Sequence, residues 1–205
     1  MIRVKEKKER ALGTKLLLRG ERCNSRKCAV ARRPFPPGMH GGKRRRKGFS
    51  EYALQMREKQ KLRFAYGLTE AKFRKIVRES LEKPGAATET IIGNLERQLS
   101  NVTFRLGFAP SRYAAAQMVS HGHITVDGKS ARVPSYRVNT GDVIALAPSS
   151  RELALASAVK SATEKYEAPS WLSLDKEKFE GTVKTLPRDV DVPFDINLII
   201  DYYAK

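Results

Sequence analysis

An α+β fold is predicted from three features of the chain. Apolar residues recur at helical spacing in the first half, an alternating apolar pattern flanks an Asp-Gly pair in the second, and no apolar run exceeds a few residues. At 205 residues the chain can form one large domain or two small ones. Its charge is divided unevenly. Residues 1–83 hold 26 Lys and Arg against 8 Asp and Glu, a net of +18, whereas residues 84–205 hold 14 of each. Crowded like charges oppose compaction, so such a field predicts a polyanionic partner, with nucleic-acid phosphate as the compensating charge. No segment approaches the ~20 apolar residues that span a bilayer. The Lys/Glu-rich N-terminus has no signal-peptide core, so a cytosolic location is expected.

Residues 1–50 are basic and broken by Pro34, Pro36, Pro37, Gly38, Gly41, Gly42 and Gly48. They predict a basic extended arm over 1–49, loop-like until it meets a partner. Ser50 and Glu51 open a helix over 51–66 that Gly67 ends, and Thr69 caps another in which Phe73, Ile76, Val77 and Leu81 form one apolar stripe. Pro84-Gly85 marks a boundary. Ile91, Ile92, Leu95 and Leu99 predict a third helix ending at Asn101, and Ser111 caps a short one stopping at Gly122. Strands are expected around Ile124 and Val126, Ala131 and Val133, Tyr136 and Val138, and over 143–146, with a hairpin at Asp127-Gly128. A helix from Ser149 or Ser150 to about Tyr166 follows, then strand-like pieces at Trp171-Leu172 and Val183. The apolar end, 196–203, should pack onto something.

Catalytic chemistry finds little support. No paired carboxylates, Ser/His/Asp set, Cys/His dyad or glycine-rich phosphate loop stands out, and three histidines give little general-base capacity. Cys23 and Cys28 are spaced C-x4-C, with His40 the nearest other soft ligand, and are only weak zinc candidates because zinc usually takes four ligands. His121-Gly122-His123 lacks a third ligand.

The phosphate-contact candidates of the first half are Arg22, Lys27, Arg32, Arg33, Lys43, Arg44, Arg45, Arg46, Lys47, Arg57, Lys59, Lys61, Arg63 and Arg74. In the second half they are Arg97, Arg105, Ser111, Arg112, Gln117, His121, His123, Lys129 and Arg132, on a short helix and the hairpin after it. Ser111 would aim free backbone N–H groups at a phosphate, or serve simply as a cap; Arg97 and Arg105 could instead be salt-bridge partners.

The stretch from Leu95 to Leu146, with SRYAAAQMVSHGHITVDG at its centre, resembles the small RNA-binding module named after small-subunit ribosomal protein four. The strings GERCNSRKCAVARRPFPPGMHG (20–41), SEYALQMREKQKLRFAYG (50–67) and WLSLD (171–175) resemble other signature segments of that ribosomal protein's bacterial family, as does the closing Asp201-Tyr202-Tyr203. The resemblance implies a non-enzymatic 16S rRNA-binding protein that nucleates assembly of the 30S body. It also implies contact with small-subunit ribosomal protein five, an influence on decoding accuracy, and a basic cluster at Lys43 to Lys47 facing messenger RNA. The implied fold is a mostly helical first domain over 50–93, completed by a returning tail (187–205), with an inserted two-helix and antiparallel-sheet module over 94–157 and an extension and linker over 158–186. Many bacterial members carry two further cysteines that complete a zinc site with those matching Cys23 and Cys28. Residues 1–22 hold none, so no cofactor is expected.

The same module also occurs in some pseudouridine synthases and in a factor that binds stalled ribosomal particles. A synthase would need a second, larger catalytic domain with a buried carboxylate, where this chain offers a basic arm, two helices and a short tail; in the stalled-particle factor the helices at 50–83 and the returning tail would be unnecessary. A repressor role on messenger RNA would be an addition that no residue reports.

Each phosphate neutralised on duplex contributes about 0.9 to the log–log dependence of affinity on salt. Replacing Arg44, Arg45 and Arg46 by Ala should therefore flatten that slope by roughly 1 to 3 units in a filter-binding titration.

Overall fold

The computed structural model describes residues 5–42, 48–82, 85–188 and 190–204, which leaves the Lys43 to Lys47 cluster outside the described residues. The chain divides into two compact units. One comprises the described residues up to Ile91 together with those from Asp191 onward, and the other comprises Ile92–Val190.

The N-terminal segment is not an extended arm. It forms helix α1 (Lys5–Leu12) and two short turns of helix, α2 (Glu21–Asn24) and α3 (Ala29–Arg32). Composition concealed enough apolar surface to order it: Leu12, Leu16, Leu18, Cys23 and Cys28 are all buried. Polar ties add to this. The Arg10 guanidinium donates to the carbonyls of Arg33 (3.1 Å) and Phe35 (3.2 Å), and it lies over the Phe35 ring.

Helix α4 (Glu51–Ala65) begins where the Ser50 hydroxyl accepts the Ala53 N–H, and Gly67, at φ +68°, turns the chain out of it. Helix α5 (Glu70–Leu81) is capped in the same way by Thr69, and its Phe73, Ile76 and Val77 are buried, whereas Leu81, the last residue of the expected stripe, is exposed. Helix α6 (Ala87–Glu96) spans the division between the units.

The expected third helix, ending at Asn101, is instead two. The chain breaks at Gln98, which is extended, and α7 (Leu99–Arg105) starts afresh, with Asn101 buried within it. The cause lies in the segment predicted as a strand around Tyr136 and Val138. Its carbonyls accept the first N–H groups of α7, Leu99 to Tyr136 (2.8 Å) and Ser100 to Pro134 (3.0 Å), so that segment caps a helix rather than joining the sheet.

Helix α8 (Arg112–Ser120) leads into β1 (Ile124–Val126) and β2 (Lys129–Ser130), joined at Asp127 and Gly128, whose φ of +50° and +76° give the hairpin turn their pairing calls for. The strand predicted around Ala131 and Val133 is confined to Lys129–Ser130. Strand β3 (Val143–Leu146) pairs with β1, placing Ile124 opposite Leu146.

The alanine-rich helix is also split, into α9 (Pro148–Arg151) and α10 (Ala154–Thr163), by an extended Leu153. Strands β4 (Leu172–Asp175) and β5 (Glu180–Val183) then complete one antiparallel sheet ordered β2-β1-β3-β5-β4. Residues 172–183 thus extend the sheet where strand-like pieces are expected, because Trp171, Leu172 and Val183 share the core of Leu99, Val102, Leu106, Ile124, Ile144 and Leu146. Burying each large side chain contributes about 1.5–3 kcal/mol.

The last helix, α11 (Ile196–Ala204), belongs to the first unit and packs along α4 with Ile196 and Ile199 buried. Asp195 opens it by accepting the N–H groups of Asn197 and Leu198.

Gly107 sits at φ +80°, and a Cβ there would stand 3.0 Å from the Tyr166 ring and 3.2 Å from the Thr163 methyl. Gly107→Ala should lower stability by about 1–3 kcal/mol in urea unfolding, with little change in the slope of the transition.

Candidate nucleic-acid interface

The first unit gathers cations around a cavity of about 350 Å³ between α1, α2 and α3, lined by Glu6, Lys7, Arg10, Arg22, Lys27, Arg32 and Arg33 among others. Four of the predicted contacts, Arg22, Lys27, Arg32 and Arg33, come together here. Glu6 takes Arg22 at 2.8 Å, and Arg10 is spent on backbone carbonyls. Lys7, Lys27, Arg32 and Arg33 are exposed. Several cations facing one concavity against a single carboxylate suit an anion with more than one charged oxygen. Sequence reasoning missed Lys7 and Arg10 because it took this region for an arm; the helical spacing of Leu12 with Lys5, Lys8 and Glu9 was the available signal.

The bases of α4, four of the predicted contacts, are engaged within the unit. Lys59 is only 5% exposed; its ammonium donates to Glu70 Oε1 at 2.8 Å and lies 4.3 Å from the centre of the Tyr202 ring. Arg63 donates to Glu70 Oε2 at 2.6 Å, and Lys61 pairs with Glu58. Arg57 donates to the Leu12 carbonyl at 2.6 Å, closing the C-terminus of α1, and stacks on Phe49. These side chains hold the unit together. Arg74 remains on the outer face of α5.

Glu70 is the centre of this arrangement, since the Tyr203 hydroxyl also donates to its Oε1 (3.1 Å). Burial would raise the carboxyl's pKa, but the hydrogen bonds and positive charges of Lys59 and Arg63, with the Tyr203 bond, outweigh it and hold the group below its ordinary range. The Tyr203 phenol is pushed well above its usual value, first by burial and then by the Glu70 charge.

In the second unit a similar division holds. Glu96, fully buried, receives the Arg105 guanidinium on both oxygens at 2.9 Å. Arg112 donates to Asn101 Oδ1 at 2.6 Å, with a nitrogen 3.7 Å from Glu96. Arg97 donates to the Val138 carbonyl (2.9 Å) and Asn139 Oδ1 (2.7 Å). Arg97, Arg105 and Arg112 thus make contacts within the unit; Arg105 is a salt-bridge partner, of a buried rather than a surface acid, whereas Arg97 bonds a carbonyl and an amide oxygen and no carboxylate. Ser111 is buried, and its hydroxyl accepts the Ala114 N–H, the plain cap. What stays outward lies at the end of α8 and on the hairpin. Gln117, His121, Lys129 and Arg132 are exposed, the His121 and His123 rings stack at 6.1 Å, and Arg132 lies against Gly122. His123 Nδ1 is 2.9 Å from Ser150 Oγ, which fixes the ring.

Residues 2–96 match the ribosomal protein S4/S9 N-terminal domain, and residues 98–144 match the S4 domain. The chain is 48% identical to small ribosomal subunit protein uS4 of Thermus thermophilus over 195 residues, which are 94% of this chain and 93% of that protein. It is 44% identical to the same-named protein of Natranaerobius thermophilus, with the same coverage. The chain belongs to the small ribosomal subunit protein uS4 family. That family is one of ribosomal structural proteins, not of enzymes.

The zinc site that the resemblance implies would need further donors beside Cys23 and Cys28. Among the described residues no group of three or more His, Cys, Asp and Glu is placed to hold a metal ion. Cys23 and Cys28 are the two thiols of the sequence, half of the four donors that zinc usually takes, and burial holds the Cys23 thiol above its ordinary pKa despite the bond it accepts from the Arg19 N–H (3.4 Å). Residues of this uS4 family chain therefore do not fit the metal.

Because the folded Glu70 carboxyl lies below its ordinary value near 4.5, its contribution is fully present above that pH and is lost as pH falls through the folded value. The first unit should weaken progressively in acid below about pH 4.5, and Glu70→Gln should remove that part of the pH dependence, read by circular dichroism across an acid titration.

Proposed function

We propose that this chain is a cytoplasmic component of the small ribosomal subunit that binds 16S rRNA directly and helps nucleate assembly of the 30S body. The observation that carries the reading is the separation of its cations in a uS4 family chain. Some are consumed by carboxylates and carbonyls, Arg22 by Glu6 among them, while Lys27, Arg32 and Arg33 line one cavity and Lys129 and Arg132 stand on the module's hairpin. The first set of outward cations meets phosphates. The second, with Gln117 and His121, meets sugar and backbone of structured RNA, which is read mainly by shape.

Contact with small-subunit ribosomal protein five, an influence on decoding accuracy and a messenger-facing role for Lys43 to Lys47 follow from family membership and belong to the same proposal. So does the absence of a cofactor.

Footprinting of the purified chain on naked small-subunit RNA should give protection concentrated at one multi-helix junction; protection no different from that on an unrelated transcript of equal length would refute the reading. In the same system, the triple variant Lys27→Ala, Arg32→Ala, Arg33→Ala should weaken binding at least ~10-fold and flatten the salt slope by about 2 to 3 units.

A further inference from the structure

The ordering of residues 5–33 in a chain without a zinc ligand set needs another organising group, and the strongest one present is buried. Glu9, on the inner face of α1, is 1% exposed, and one carboxylate oxygen accepts two backbone N–H groups of the following loop, Leu16 at 2.9 Å and Leu18 at 3.3 Å. Those residues have their own side chains buried, whereas Leu17 between them is exposed at φ +56°. The loop is thus bent so that alternate residues enter the core and both their amides face one carboxylate. A carboxylate has no structural reason to be buried among Leu12, Leu16 and Leu18 unless its bonds repay desolvation, and here they are charge-assisted. Just beyond, the Arg19 N–H reaches the Cys23 sulfur, so the carboxylate and the first thiol grip the two ends of one turn.

We infer that Glu9 is the anchor of a metal-independent N-terminal fold: its carboxylate fixes the Leu16–Leu18 loop, and Cys23 and Cys28 serve as buried core thiols. The chemical consequence is that folding of this region, and presentation of the cationic cavity beside it, does not depend on a divalent ion.

The test uses the full chain and does not depend on RNA binding. Zinc content is measured by elemental mass spectrometry after purification, and amide hydrogen exchange of Leu16 and Leu18 is followed with and without EDTA. The expected result is well under one zinc per chain, with both amides protected to the same degree in either condition. Glu9→Ala should speed their exchange at least ~10-fold and lower the urea midpoint by about 1 M, and Glu9→Gln, which keeps an acceptor oxygen, should do less of both. One equivalent of tightly held zinc whose removal exposes those amides would overturn the inference. So would Glu9→Ala with unchanged exchange at Leu16 and Leu18.

Discussion

The carboxylate of Glu70 is the interaction on which the first unit turns. It sits at the start of α5, accepts Lys59 and Arg63 from α4 and the Tyr203 hydroxyl from α11, and so ties two consecutive helices to one far along the chain. A segment with 26 cations and 8 acids cannot fold by dilution of charge, because each cation brought inward must find an acceptor. The few acids are accordingly placed where they neutralise the most. Glu70 takes two cations, Glu6 and Glu58 one each, and Glu9 is reserved for backbone N–H groups. Cations left after this accounting are the ones available to an outside polyanion.

The second unit uses one buried acid to the same end. Glu96 is fully buried at the end of α6 and collects Arg105 directly and Arg112 at the edge, with Asn101 bridging between them. Since α7 and α8 carry those partners, the network sets the packing of the two helices over the sheet, and hence the orientation of the α8 end that presents Gln117 and His121. Net charge near zero here does not prevent exposed cations from standing close together, as Lys129 and Arg132 do on and just after the hairpin, while Glu96 is buried beneath α7 and α8.

Local signals in the sequence carried most of the elements. The Ser50, Thr69 and Ser111 caps, the α5 stripe and the Asp127-Gly128 turn were legible because each depends on neighbours within four residues. What escaped depended on distant partners. The break at Gln98 exists because carbonyls of Pro134 and Tyr136 cap α7, and the N-terminal helices form because Arg57 and Arg10 reach backbone far along the chain. The site suffered in the same way. Lys59 and Arg105 read as surface bases from their residue type alone, and only the fold reveals that Glu70 and Glu96 face them.

That division between spent and unspent cations also separates stability from binding in their response to salt. Exposed charges interact over about 8–10 Å at ordinary ionic strength and are screened beyond it, whereas pairs at 2.8–2.9 Å with one partner buried are screened far less. The bonds of Lys59 and Arg105 therefore persist under conditions in which Lys27, Arg32 and Arg33 lose their hold on phosphate. A polyanion-binding protein built in this way can be released from its partner by salt without losing the shape that recognises it, because the charges that fold the chain are not the charges that bind.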